Sequence, residues 1–409
     1  MKTCPTCNRP FEDSLTYCLV DGSPLSAPYD PQAALHAPEI TPSELPREAV
    51  AQPFNPPKKI TGSSNKWWAI GGLLAALILI GIGIIFFIFA RHGSQPTLDE
   101  RGRALRIQEK WSEAETLYKE ASNSEPNNAL WRVRLGQTLS EERKEAEAST
   151  EAREAERLAR EALRSNPNDA SMHSVLGDAL RLQGKFAEAE TEYRTALRIN
   201  PNEADFYNGL GGTLRGQKKY ADAEAAYRQA IKIRKDFAAY HNNLANNLIL
   251  QRKYTEAESE ARETIRLEPN APSAYQILGY ALGFQKKFAE AEAAIREAVR
   301  LNPNNASYHD DLSLALIDEA KLTEAEAESR EAIRLNPNDY SYYYSLGDVL
   351  FKQRNYKEAE TEYRKAIQMM PNDGGSYEGL AKALEAQGKS QEAQDAREKA
   401  KQLKSNKGN

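Results

Sequence analysis

The chain has 409 residues and three cysteines, Cys4, Cys7 and Cys18, with none after residue 18. Cys4 and Cys7 form a C-x2-C pair, and Asp21 follows Cys18 at the same three-residue step. Two short turns that each offer two ligands can close a tetrahedral zinc site, here with three thiolates and one carboxylate oxygen. Gly22 allows the tight turn that the second pair needs. Four protein ligands leave no open position for a reacting water, so such a site is structural. Clustered thiols belong in a reducing compartment, and the rest of the chain has no disulfide framework.

Little else invites catalysis. Five histidines, His36, His92, His173, His241 and His309, are few for general acid/base or metal chemistry in a chain this long. Lys and Arg number 54 against 59 Asp and Glu, a net charge of -5, so there is no cationic excess to neutralise a nucleic-acid backbone. Gly388-Lys389-Ser390 resembles the end of a phosphate loop, but Ala383 stands where the leading Gly is needed and no strand signal precedes it. Gln183-Gly184-Lys185, Gln217-Lys218-Lys219 and Gln285-Lys286-Lys287 fall at equivalent places, which makes the segment a turn between helices. No nucleophile is paired with a histidine on sequence grounds, and the chain reads as a non-enzyme.

Residues 1–23 resemble a truncated zinc ribbon of the kind that opens many bacterial membrane proteins, with Asp21 in place of the usual fourth Cys. Nine prolines between residues 24 and 66, without apolar periodicity, read as an extended, disordered tether. From Trp67 to Ala90 there are 24 residues without a charge. At about 1.5 Å per residue, a helix of that length exceeds the ~30 Å hydrocarbon core of a membrane. Trp67 and Trp68 at one edge, between Lys66 and Arg91, fit an uncleaved signal anchor. Lys58, Lys59 and Lys66 before the span balance Arg91, Arg101 and Arg103 after it. Orientation therefore rests on the thiols, which place the N-terminus in the cytoplasm and the bulk of the chain outside it.

The elements that make up the bulk repeat. Pro167, Pro201, Pro269, Pro303, Pro337 and Pro371 are spaced by 34 or twice 34, with Lys235 in the vacant slot, and Pro126 precedes them by 41. Leu176, Leu210, Leu244, Leu278, Leu312, Leu346 and Leu380 keep the same period, each with another Leu four residues on. Ala189, Ala223, Ala257, Ala291, Ala325, Ala359 and Ala393, with Tyr193, Tyr227 and Tyr363, mark a second helix in each period.

With these residues the chain resembles the tetratricopeptide repeat family, over residues 95–407, in nine units beginning at 95, 129, 170, 204, 238, 272, 306, 340 and 374. The fold expected is all-α, a right-handed solenoid of helix pairs, with Leu facing the second helix and Ala allowing close approach. Seven extra residues in the second unit equal about two helical turns. Arg101, Arg397 and Ser405 replace apolar consensus residues in the end units, as polar caps do.

The resemblance implies a concave face lined by the first helices. It carries Asn208, Asn242, Asn246, Gln276, Tyr280, Phe284, Leu314, Ile317, Tyr344, Asp348 and Phe351 into a groove for an extended peptide or partner helix. His173, His241 and His309 share one slot two units apart and read as packing residues. The function expected is a membrane-anchored scaffold that recruits protein or peptide clients. The alternative is a transmembrane regulator, in which groove occupancy alters self-association through Gly71-x3-Ala75 and Gly72-x3-Ala76 and the zinc ribbon passes the signal to a cytoplasmic partner.

Overall fold

A computed structural model describes residues 97–406 and, nearer the N-terminus, the backbone of residues 2–3, 10–11 and 26–28. Cys4, Cys7, Cys18 and Asp21, and the span at 67–90, lie outside the described residues. Among the described residues no helix is long and apolar enough to cross a membrane. The chain divides into two units, Met1–Phe87 and Ile88–Asn409.

In the first unit, β1 (Lys2–Thr3), β2 (Pro10–Phe11) and β3 (Ser26–Pro28) form an antiparallel sheet in the order β2-β1-β3. β3 lies beyond the boundary expected at residue 23, so the sheet takes in the start of the proline-rich stretch. Pro28 is tolerated there because β3 is an edge strand.

The second unit is a run of helix pairs. They are α1 (Leu98–Ile107) with α2 (Trp111–Ser124), α3 (Ala129–Glu141) with α4 (Glu145–Ser165), and α5 (Ala170–Leu182) with α6 (Phe186–Ile199). Next come α7 (Ala204–Gly216) with α8 (Tyr220–Ile233), α9 (Ala238–Leu250) with α10 (Tyr254–Leu267), and α11 (Pro272–Phe284) with α12 (Phe288–Leu301). The last are α13 (Ala306–Asp318) with α14 (Leu322–Leu335), α15 (Tyr340–Lys352) with α16 (Tyr356–Met369), and α17 (Gly374–Ala386) with α18 (Ser390–Asn406). The odd-numbered helix of each pair packs on its even-numbered partner, which packs on the next odd one.

Burial follows the repeat. Every Leu of the paired ruler, from Leu135 and Leu139 to Leu380 and Leu384, is buried, as are the seven marker alanines. The residue after the first Leu is matched to the facing helix. A methyl on Gly211 would stand 2.7 Å from the Tyr227 ring, and one on Gly347 2.7 Å from Tyr363, so glycine there is what admits a tyrosine. In two units that residue is larger and its partner smaller: Ala245 goes with Ala261, and Ser313 hydrogen-bonds Ser329 at 2.7 Å.

Each pair is joined by a turn whose middle residue has positive φ, among them Gly184 (73°), Gly388 (78°), Lys218 (62°) and Glu109 (56°). The next amide bonds back to the first helix, as Lys185 does to the Leu180 carbonyl at 2.9 Å. Flanking residues tie successive units together. Gln217 Nε2 donates to Glu190 Oε2 at 2.8 Å and Lys219 pairs with the same oxygen at 3.1 Å. Gln251 and Lys253 hold Glu224, Gln285 and Lys287 hold Glu258, and Gln387 and Lys389 hold Glu360 in the same way. The seven extra residues of the second unit all enter α4, 21 residues long where α6 has 14. Arg101, Arg397 and Ser405 are exposed, as polar ends of a stack should be.

Candidate functional site

The first helices of the first eight pairs, with turn residues and a few side chains of the second helices, line a cavity of about 1140 Å³. Four of the residues carried over from the family pattern, Asn208, Asn242, Asn246 and Gln276, stand in its wall. Asn208 Oδ1 accepts from Asn243 Nδ2 at 2.9 Å, so amides of successive units run as a row. Asn242 Oδ1 is buried and meets no donor among the described residues. An amide oxygen left this way stands ready to accept a hydrogen bond from a ligand.

The other expected groove residues are placed differently. The Tyr280 hydroxyl and Gln276 Nε2 both donate to Asp311, at 2.9 and 2.6 Å. Asp348 accepts from the Tyr363 hydroxyl at 2.6 Å. Ile317, Tyr344 and Phe351 are half-buried against the core. Phe284 is 60% exposed and stacks on Tyr254 at 4.6 Å, while Leu314 is exposed. The amides are therefore brought together in one cavity, and the apolar set is not.

Charges of both signs line the cavity, among them Arg103, Arg134, Arg181, Asp178 and Asp205, and Asp99, Asp310 and Asp311 stand outside its wall. Asp99 receives Arg134 at 2.7 Å and Arg103 at 2.8 Å, and Arg103 reaches across to Asp205 at 2.9 Å. Burial raises the Asp99 and Asp178 carboxyls, but Arg134 with Arg103, and Arg181 with Arg134, outweigh it and hold both below the ordinary range. Asp310 and Asp311 have no such partners. Burial pushes Asp310 up to about 7, with Asp311 and Asp339 adding repulsion, and Asp311 up to about 6.

The structure also brings in residues that the repeat pattern does not single out. The turn of the first pair crosses to the seventh: Glu109 accepts from Asn302 Nδ2 at 2.8 Å, Asn305 Nδ2 at 3.3 Å and the Tyr308 hydroxyl. Arg143, in the matching turn of the second pair, faces Asp339 of the eighth at 3.5 Å. A sequence signal for Glu109 exists in retrospect: the other positive-φ turn residues are Arg, Lys, Gly or Ala, and Glu109 alone is acidic.

His173, His241 and His309 each bridge a glutamate and a backbone carbonyl, a structural role. His241 Nδ1 meets Glu260 at 2.6 Å and Nε2 meets the Lys235 carbonyl at 2.9 Å, and His309 repeats this with Glu328 and Pro303. Burial, the largest influence at His241, lowers its pKa, and burial also opposes the Glu328 hydrogen bond at His309, but with both nitrogens facing acceptors the imidazolium is favoured and both pKa values are raised. Gly388 is a turn residue like Gly184, so the apparent phosphate loop is a helix connection. No group of three or more His, Cys, Asp or Glu side chains able to hold a metal occurs among the described residues.

The model for the tetratricopeptide repeat matches residues 142–204, 183–239, 242–306 and 311–374, together more than half of the chain. No curated protein matches the sequence. Among solved structures, a chain of the APC/C hetero-tetramer Cut9–Hcn1 is similar with a TM-score of 0.58 at 14% identity, over 70% of this chain and 55% of that one. The chain thus spans about half the length of that neighbour. PilF of Pseudomonas aeruginosa matches at 21% identity over 52% of this chain and 96% of its own, with a TM-score of 0.46. Yeast Tom70 matches at 17% identity over 75% and 77%, with a TM-score of 0.47. The recurring Leu and Ala rulers, the helix pairs they build and the family match agree: the chain belongs to the tetratricopeptide repeat family.

Proposed function

We propose that the solenoid is a scaffold that takes an extended segment of a protein partner along the amide row of its cavity. The observation that carries this is the Asn208, Asn242, Asn246 and Gln276 series, with Asn242 Oδ1 lacking an internal donor. Amides at successive units can pair with the backbone of an extended chain whatever its side chains, while neighbouring polar groups select among partners.

In this reading the apolar run at 67–90 anchors the scaffold in a membrane and residues 1–23 hold a structural zinc through Cys4, Cys7, Cys18 and Asp21. Supporting the zinc module, Thr3 and Pro10, which flank Cys4 and Cys7 in sequence, are partners in an antiparallel register. The N-terminus lies in the cytoplasm and the solenoid outside it. Protease added to intact cells then digests the solenoid without lysis, and protection until lysis reverses the orientation. The purified chain carries about one zinc, which the Cys4→Ser/Cys7→Ser variant loses.

The scaffold itself is tested by a benzophenone amino acid placed at Asn246 and, as an outer-surface control, at Glu161. Irradiation in cells yields partner adducts from position 246 that are absent from 161. No adduct at 246, or the same adducts at both, overturns the reading.

A further inference from the structure

Tyr240 and Tyr308 occupy the same place in their helices, 68 residues apart. Beside Tyr240 the carboxylate is local: Asp205, 35 residues upstream, accepts from the Tyr240 hydroxyl at 2.5 Å and from Arg234 at 3.1 Å. The residue 35 before Tyr308 is Ser273, which brings no carboxylate. Asn302 stands where Arg234 stands, and Asn305 caps the start of α13, whose amino end favours an anion. The position left open by Ser273 is filled from 199 residues away by Glu109, with Oε2 on Asn302 and Asn305 and Oε1 on Tyr308. Tyr308 is 2% exposed, so its hydroxyl is a desolvated donor, and burial together with Glu109 raises its pKa.

We propose that Asn302, Asn305 and Tyr308 form a binding site for a side-chain carboxylate, that Glu109 is its resident occupant, and that a glutamate of a partner in the cavity displaces Glu109. The partner rests on the scaffold reading, whereas the Glu109 contact does not. Displacement would release the first pair from the seventh and open the cavity along that side. Asn and Tyr donors without a paired guanidinium hold a carboxylate firmly enough to order a turn, yet leave it exchangeable against a second carboxylate.

The test is amide hydrogen exchange on the full chain in detergent. Glu109→Gly suits the positive φ of the turn, as Gly184 and Gly388 do in the same slot, so it removes the carboxylate without straining the fold. Exchange over residues 302–309 speeds by about tenfold in this variant, the change expected for a lost hydrogen bond to a charged group. Tyr308→Phe does the same reciprocally over residues 106–112, and Glu145→Gln, an exposed control, moves neither.

An acetylated and amidated copy of residues 104–113, added to Glu109→Gly, restores slow exchange over 302–309. The copy with Gln in place of Glu109, Glu113 being kept, needs at least about tenfold more peptide. Unchanged exchange in Glu109→Gly, equal action of the two copies, or no action of either overturns the site. Should the copies discriminate while the Asn246 adducts fail, the scaffold reading falls and the carboxylate site stands; the opposite pattern sinks the site alone.

Discussion

Asp310 and Asp311 sit one residue apart on α13, and neither is relieved by a cation. With an ordinary value of 3.8 in the unfolded chain and about 7 in the folded one, Asp310 holds a proton in the native state that the unfolded chain releases. Stability is therefore fully present below about pH 4 and declines as pH rises towards 7. Asp310→Asn removes the penalty. Its melting temperature exceeds the parent's by several degrees at pH 8 and matches it near pH 4, since ~1 kcal/mol moves a domain of this size by roughly 2–4 °C. Thermal melts at both pH values check this, and an equal shift at both would show that titration is not the cause. Such a residue is invisible in sequence because Asp310 looks like any polar residue on a repeat helix until its neighbours are known. The row of Asn208, Asn242 and Asn246, by contrast, was legible, since family positions carried each onto the inner wall. Phe284 and Leu314, carried over by the same rule, are exposed and are not among the residues that line this cavity.

Helices and their joints were the most legible scale. The units expected to begin at 129, 170, 204, 238, 272, 306, 340 and 374 start helices at Ala129, Ala170, Ala204, Ala238, Pro272, Ala306, Tyr340 and Gly374. The reason is local: a proline-marked loop stops one helix and the Leu pair sets the face of the next. The Gln-x-Lys turns are visible in the repeat, but their locking of Glu in the preceding unit is not, because the joints span units and look like surface charge. Glu190 shows what they contribute. Partial burial raises its carboxyl, but Gln217, Arg194 and Lys219 outweigh burial and hold it near 2, below the ordinary 4.5. That stability is present above about pH 4.5 and is lost as pH falls towards 2. Glu190→Gln thus lowers the melting temperature at pH 7 by a few degrees, for ~1 kcal/mol, and its effect shrinks towards zero as pH falls to 2 and below. A pH series of melts on the two chains decides it.

At the scale of the whole solenoid, stability is close to a sum over neighbouring units. A chain ending at Asn372 loses α17 and α18, and its helical circular-dichroism signal falls by about one ninth, with a lower melting temperature. The drop in melting temperature follows from Leu346, Leu350 and Tyr363, which pack against Leu380 and Leu384 and would meet water instead. Collapse of the entire signal would show the solenoid to be a single cooperative block. What the sequence by itself determined is everything that repeats: the unit, its period, the paired helices, the buried Leu and Ala faces, the polar ends. Each of these depends on residues within one unit or the next, so a single chain carries the signal many times over. Only the tertiary structure decided that Glu109 meets Tyr308 and that Arg143 meets Asp339, contacts 199 and 196 residues apart. These arise from small rotations accumulated unit by unit until the solenoid returns on itself, and no residue pattern within one unit records that sum.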